Sequence, residues 1–458
     1  MRRLTLVSLS TLIMASGCAS LTPTVQTDPL PVTIPEAYDH SAELAELAEI
    51  RSADTHWWVT FNDPVLNDLI ERALANNTSI ETGLANLRSA RAAVTSAGAS
   101  LLPSLSGSAS ASSSSDSGLD DISSSARLSA SYEVDLFSSN QRSVDVSRLS
   151  LLGTQLDQRT IELSVQSDVA SNYFNLLTTR YSLQVAKDNL TISERIYQIV
   201  EARYNAGDVS GYDLASQQSS LATARARIPA IQDQIESYEA SLAILLGEAP
   251  QGFSVPEADL MSVALPSVDA GLPSELLTRR PDLLSSEVDL QSAHISVAIA
   301  EAAYLPSFDL GAGLSTALNS GLDPVASLSA GLNIPIFQGG QLDASLETAE
   351  ARADAALASY RAAILSALQD VDTSLSGLNS ATAQAPDLQI AEDASARALE
   401  ISELRYRVGA DDLTSLLNAQ QTYQSAVQSV LENRRDQLIS VINLYAAIGG
   451  SWQMPIES

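Results

Sequence analysis

Apolar positions recur along the chain with two different periods, and each predicts its own element. After Trp57-Trp58, between Asn62 and Ser100, Leu66, Leu69, Ile70 and Leu74 fall at helical spacing with only Gly83 and Gly98 intervening. Ser138 to Tyr204 contains no proline and a single glycine, Gly153, and Val169, Leu176, Leu183, Leu190, Tyr197 and Tyr204 recur every seven residues. A sustained seven-residue apolar repeat predicts a left-handed coiled coil, and a helix of that length reaches roughly 100 Å. Arg159, Glu162, Asp168, Arg180 and Lys187 interrupt it, which excludes a membrane-spanning helix. The heptad residues are read as packing core.

Two regions change to period two. Ala126, Leu128, Ala130, Tyr132, Val134 and Leu136 alternate with Arg127, Ser129, Ser131, Glu133 and Asp135. Ala326, Leu328, Ala330, Leu332, Ile334 and Ile336 do the same, preceded by Phe308, Leu310, Ala312 and Leu314. Adding a weaker segment from Ser104 to Ser112 gives four strands of about ten residues, the length and pattern of membrane-barrel strands or of a half-buried soluble sheet. Four strands cannot close a barrel, and lipid does not tolerate an open edge. If these strands lie in a membrane, the chain must oligomerise.

The halves repeat one another. Leu102-Pro103-Ser104 returns as Leu305-Pro306-Ser307, Tyr132 to Phe137 answers Leu332 to Phe337, and Arg203-Tyr204-Asn205-Ala206-Gly207-Asp208 answers Arg405-Tyr406-Arg407-Val408-Gly409-Ala410. Markers in the same order at nearly constant offset predict a duplicated unit of helix, strand, strand, long helix, turn and helix. Gly377 and Pro386 fall in the second long helix, so an irregular segment is expected near Ala381 to Leu388.

Charge and composition narrow the function. A net charge of −30 is unsuited to phosphate binding, so nucleic acid is not an expected partner. The acidic excess suits either a lumen favouring cations or solvated outer helix faces. His40, His56 and His294 have no second His or Cys at metal-ligand spacing, and no nucleophile elbow or phosphate loop is present. Neither a metal nor an enzyme activity is expected. The one cysteine, Cys18, follows Met1-Arg2-Arg3, an apolar stretch and Ala15-Ser16-Gly17. This is a signal peptide ending in a bacterial lipobox, with Cys18 as the lipidated first residue of the mature chain. The organisation reads as signal peptide 1–17, lipidated proline-rich tether 18–56, first repeat 57–250, linker 251–280, second repeat 281–450 and C-terminal tail 451–458.

The lipobox, the duplicated unit and the paired Arg-Tyr-x-x-Gly turns together resemble the TolC-like outer-membrane factor family, in its NodT-like lipoprotein branch serving resistance-nodulation-division pumps. The resemblance implies a mainly α fold with a small β portion. Three protomers of four strands each close a twelve-stranded outer-membrane barrel on a long periplasmic α-helical coiled-coil barrel. It implies passive conduction of drugs and other small toxic solutes, energised by an inner-membrane pump through a periplasmic adaptor, with outer-membrane lipid as the remaining partner. The only cofactor-like group is the lipid on Cys18. An outer-membrane channel of a type I protein secretion system shares that fold and is the alternative. A lipid-anchored structural trimer is disfavoured by the regular strands.

The turns are ordinary helix-capping sequences. The resemblance adds that they form a periplasmic tip that docks the adaptor, at Arg203, Gly207, Asp208, Val209, Arg405, Gly409 and Ala410. In relatives a Leu-Leu-Asp-Ala-Gln run supplies an aspartate to a constricting ring. Here the run is Leu416-Leu417-Asn418-Ala419-Gln420-Gln421. The expected constriction is therefore assigned to Asp411, Asp412, Asn418 and Gln421, with an amide in place of the carboxylate.

Overall fold

The computed structural model describes residues 32–35, 37–38, 56–113, 122–268, 271–318 and 323–450. Cys18, the signal peptide, most of the tether and the 451–458 tail lie outside the described residues. A 3-10 turn, Trp57–Phe61, leads into α1 (Pro64–Asn76), α2 (Thr78–Gly98), β1 (Ser104–Ser113), β2 (Ile122–Glu133), α3 (Ser139–Ala206) and α4 (Gly211–Leu245). The second copy follows as α5 (Leu276–Arg279), α6 (Pro281–Ala302), β3 (Ser307–Ala317), β4 (Val325–Asn333), α7 (Gln341–Arg407) and α8 (Leu413–Ala447). Among the described residues, no helix is long and apolar enough to cross a membrane.

One compact unit holds residues 83–158 and 282–363 and is centred on the sheet. Its strands run antiparallel in the order β1-β2-β3-β4, leaving β1 and β4 as open edges. Register carries the alternation across all four strands. Leu105, Ala130, Ala312 and Leu328 form one apolar row, and Gly107, Leu128, Leu314 and Ala326 form the next. The opposite face is mostly serine and glycine, with Arg127, Glu133 and Asp309 among them: Ser104 and Ser131 join by their hydroxyls at 2.8 Å, and Ser106 and Ser129 at 3.0 Å. Gly311 and Gly313 leave room for β4, since a Cβ there would lie 2.5 Å from Ser329 Oγ and 2.8 Å from Ser327 Oγ. Among the described residues the apolar face has no cover, with Leu328 88% and Leu105 70% exposed.

Both alternating segments stop short of the positions the pattern suggested. β2 ends at Glu133 and β4 at Asn333, so Val134, Leu136, Ile334 and Ile336 lie beyond the strands. In the first copy Asp135 turns to the next helix, its carboxylate accepting from the Asn140 N–H at 3.1 Å and the Gln141 N–H at 2.8 Å. In the second, Pro335 has no N–H to extend a ladder.

The other unit holds residues 34–82, 159–281 and the described chain from 364 on. Its aromatic core is Trp57, stacked on Tyr445 at 5.2 Å, with Phe61 against Phe174 at 5.2 Å. Asp63 caps α1 through the Val65 and Leu66 N–H groups and accepts the buried Tyr173 hydroxyl at 2.7 Å. The 251–280 stretch is held by one arginine from each copy. Arg180 of α3 donates to the Val255 and Pro256 carbonyls, and Arg434 of α8 donates to that of Val263.

The duplication extends into that expected linker. Gly247 follows α4 at φ +70°, and its Cβ position lies 2.3 Å from the Asn76 carbonyl oxygen. Its counterpart Gly449 follows α8 at φ +88°, 2.6 Å from the Arg279 carbonyl oxygen. Asn77 Nδ2 donates to the Leu245 carbonyl at 2.8 Å, and in the second copy Arg280 Nη1 donates to that of Ala447 at 3.2 Å. Different side chains thus close the same helix end.

Two expectations need correction. No break occurs at 381–388, because α7 is continuous through Pro386. A proline ring crowds the carbonyl four residues back and removes one helix donor. The carbonyl four residues before Pro386 is that of Thr382; beside it, the Ala381 carbonyl oxygen accepts from Asn433 Nδ2 at 2.9 Å and Gln437 Nε2 at 3.3 Å of α8. Gly377 allows that close approach, its Cβ position being 3.2 Å from Ser440 Oγ. The heptad stripe of α3 is core at Val169 and Leu176 but leaves the core towards the turn, where Ser193, Ile196 and Val200 are buried and Tyr204 is exposed. An α-helix drifts by about 20° per heptad against a strict seven-residue repeat. Four heptads of drift move the buried face by nearly one residue.

Candidate functional site

The two hairpin ends close with the same local chemistry. At the end of α3, Gly207 takes φ +83°, with Gly207 N–H donating to the Tyr204 carbonyl and Asp208 N–H to that of Arg203, both at 2.9 Å. At the end of α7, Gly409 takes φ +76°, with Gly409 N–H donating to the Tyr406 carbonyl at 3.1 Å and Ala410 N–H to that of Arg405 at 2.8 Å. These paired bonds satisfy terminal carbonyls that a helix otherwise leaves open, and the left-handed residue they require is most easily glycine.

The following helices start differently. α4 opens with a capping box: Ser210 Oγ accepts from the Asp213 N–H, and the Asp213 carboxylate accepts from the Ser210 N–H at 3.0 Å. α8 opens on Asp412, whose carboxylate accepts the Ser415 N–H at 2.7 Å. Backbone hydrogen bonding by Ser415 holds the Asp412 carboxyl below its ordinary value. Asp411 accepts the Asp412 N–H at 3.1 Å and lies 3.6 Å from Arg405 Nε.

The ends are pinned together by residues on opposite copies. Arg203 lies over the Tyr406 ring, 5.0 Å from its centroid, and donates to the Tyr406 carbonyl at 3.2 Å. Such stacking contributes about 0.5–2 kcal/mol, depending on desolvation. Tyr406 is 2% exposed and sits in an apolar cluster with Ile196, Val200, Leu399, Leu413 and Leu416, against which Val209 and Leu214 pack. Burial raises the Tyr406 phenol above its ordinary pKa, with Arg203 acting in the opposite sense.

The expected docking residues therefore divide. Gly207, Asp208, Arg405, Gly409 and Ala410 are exposed, whereas Arg203 and Val209 are half-buried and used within the hairpin pair itself. Among the constriction candidates, Asp412, Asn418 and Gln421 are exposed. Asp412 and Asp411 already serve the turn. Asn418 and Gln421 share one face of α8, three residues apart.

Sequence reasoning missed the layer directly behind this cluster. Gln217 of α4 is fully buried and Gln420 of α8 is 5% exposed. Gln217 lies seven residues after its helix cap Ser210 and Gln420 eight after Asp412, so matching the two copies as sequence does not pair them. Gln217 Nε2 donates to the Ser193 carbonyl at 3.2 Å. Gln420 Nε2 donates to Asn189 Oδ1 at 2.7 Å and to Ser193 Oγ at 3.0 Å. Among the described residues, no group of three or more His, Cys, Asp or Glu side chains is placed to hold a metal ion.

Comparison with known proteins places this architecture. The sequence pattern of the family described as "Outer membrane efflux protein" matches residues 69–248 and 272–450. The pyoverdine export outer membrane protein OpmQ of Pseudomonas aeruginosa is 36% identical over 414 residues, 87% of each chain. The cation efflux system protein CusC of Escherichia coli is 29% identical over 96% of each chain. Among solved structures, the outer-membrane channel OprN superposes with a TM-score of 0.84 at 26% identity, covering 94% of this chain and 100% of that one. The open state of the Neisseria gonorrhoeae outer membrane channel MtrE superposes with a TM-score of 0.82 at 27% identity, covering 95% and 99%. The open-edged amphipathic sheet is thus one protomer's share of a trimeric barrel, and the chain belongs to the outer membrane efflux protein family, as a channel subunit of the Gram-negative outer membrane.

Proposed function

We propose that this chain is the exit duct of a tripartite pump, passing small organic molecules that an inner-membrane transporter delivers through a periplasmic adaptor. The observation that carries this reading is the four-stranded sheet, with an uncovered apolar face, a serine-glycine face and two open edges. Such a sheet needs lipid on one side, water on the other and further copies at its edges. The adaptor docks at the exposed turn residues Gly207, Asp208, Arg405, Gly409 and Ala410, while Asp411, Asp412, Asn418 and Gln421 line the constriction. Cys18 carries the anchoring lipid, a reading supported by the relative named "Probable outer membrane lipoprotein SilC" of Salmonella typhimurium, 27% identical over 99% of this chain. Two relatives named for pyoverdine export, 36% and 32% identical, favour polar chelators alongside drugs as cargo.

The test is complementation. In a strain lacking its own exit channel but retaining adaptor and pump, this chain restores drug tolerance. Photo-crosslinkers at Asp208 and Ala410 capture the adaptor, while one at Ser292 on α6 does not. Absence of both tolerance and tip crosslinking refutes the reading.

A further inference from the structure

Within the four strands Arg127 is the only basic residue, and it stands exposed on the polar face. Its row runs through Ser108, Ser315 and Val325. The two rows of that face on either side contain only serine, glycine and alanine. Arg127 has no hydrogen-bond or ion-pair partner among the described residues. The acids of the same face are Glu133 and Asp309, which oppose each other at the helix end of the sheet. They lie six residues along β2 from Arg127, roughly 20 Å at the rise of a strand. That is beyond the Debye length of about 8 Å at physiological salt, so the basic and acidic levels act separately on a passing solute. Asp323, the other described acid near the opposite end, precedes β4, with β3 between it and β2.

The ordinary reasons for an arginine on a sheet do not apply here. Keeping the polar face wet does not require it, since serine fills positions 123, 125, 129 and 131 of the same strand. Charges guard exposed strand edges against further pairing, but β2 is an inner strand. A lipid headgroup would be met from the apolar face, and Arg127 is on the other one, near the middle of its strand. What remains is its effect on the space inside the barrel. The strands beside β2 belong to its own protomer, so closing the trimer brings no foreign strand against Arg127. Closure does bring three copies of it to one level, and charge repeated by symmetry within low-dielectric walls focuses potential.

We propose that the three Arg127 guanidinium groups form an oxyanion-selective ring inside the barrel, favouring small molecules that bear carboxylate or phosphate over cations on the way out. The proposal rests on the exit-duct reading and adds a cargo class to it. A guanidinium offers two parallel N–H donors to a carboxylate or phosphate, and the Ser108 and Ser315 hydroxyls beside it suit uncharged polar parts of the same molecule. Water competes for every one of these contacts, so the ring discriminates without trapping, as a conduit must.

The test uses the full-length chain in cells that lack their own exit channel but retain adaptor and pump. Two fluorescent dyes exported by that pump are followed together, one bearing carboxylates and the other a quaternary ammonium. Arg127→Gln should lower carboxylate-dye export at least threefold relative to the cationic dye, and Arg127→Glu at least tenfold, at equal trimer abundance. If the reversed charge lowers abundance, the uncharged Arg127→Gln carries the comparison. Arg127→Lys should keep at least half of the preference. Arg127→Ser combined with Ser315→Arg returns the charge to the same level from β3 and should restore the original ratio to within twofold, which a merely structural role for Arg127 would not allow. An unchanged dye ratio in Arg127→Gln and Arg127→Glu, or an equal fall for both dyes, overturns the ring and leaves the exit-duct reading standing. Export of neither dye by the unsubstituted chain overturns the exit-duct reading itself.

Discussion

Four glycines with positive φ end the four long helices, and the space around them separates two costs that substitution usually mixes. Gly207 and Gly409, at the hairpin ends, have no atom within 4 Å of a built Cβ, whereas Gly247 and Gly449 would place one 2.3 and 2.6 Å from backbone carbonyl oxygens. Alanine at Gly207 or Gly409 therefore costs only the left-handed conformation, about 1–2 kcal/mol. At Gly247 or Gly449 the backbone of α1 or α5 must also move, adding about 1–3 kcal/mol on the scale of overpacking. It also strains the Asn77 to Leu245 or Arg280 to Ala447 bond beside it. The assay is thermal unfolding of the purified protein followed by tryptophan emission, because Trp57 and Trp58 are buried in the same unit. At about 2–4 °C per kcal/mol for a domain of 150–250 residues, Gly207→Ala should lower the midpoint by roughly 2–8 °C. Gly247→Ala should lower it by roughly 4–20 °C, with Gly449→Ala behaving like Gly247→Ala. Equal losses at Gly207 and Gly247 would refute the steric argument and leave φ as the whole cost.

Tyr173→Phe removes the hydroxyl from the buried Asp63 carboxylate and should destabilise by about 1.5–3 kcal/mol in denaturant titration, the range for a charge-assisted bond. Arg203→Ala should loosen the paired turns, seen as faster proteolysis at both hairpin ends, with Arg203→Lys only partly restoring protection. Asn433→Ala removes a buried bond from α8 to the Ala381 carbonyl and should destabilise by about 0.5–1.5 kcal/mol, read from the thermal midpoint. Asp412 is held below its ordinary pKa, so its stabilisation is complete above the unfolded carboxylate value and disappears as pH falls through the lower folded one. Proteolysis at 408–413 should rise below about pH 4, and Asp412→Asn, which still caps α8, should flatten that dependence.

The sequence was most legible where a single period controls one element. Alternation placed four strands because side-chain direction in a strand depends only on parity, and the Tyr132 to Phe137 and Leu332 to Phe337 markers located the second copy before any pairing was known. Strand ends were misread because Asp135 and Pro335 act through backbone donors, which hydrophobic pattern does not record. Pro386 was read from its own chemistry alone. The Asn433 and Gln437 amides that hold the neighbouring Ala381 carbonyl come from a helix about fifty residues away. At the hairpin ends, Arg203 and Arg405 are equivalent in sequence, yet one stacks on Tyr406 while the other is exposed. That asymmetry arises from packing the two copies against each other, so no comparison of the copies as text could have shown it.

The open edges at β1 and β4 have a genetic corollary. Each protomer's sheet is completed by its neighbours, so an allele with a proline in the middle of β4, at Ser329 for example, spoils every ring it joins. With equal amounts of sound and defective copies assembling at random, only about one trimer in eight is free of the lesion. Such an allele should be dominant, and excess expression of the sound copy should suppress it in proportion to dosage.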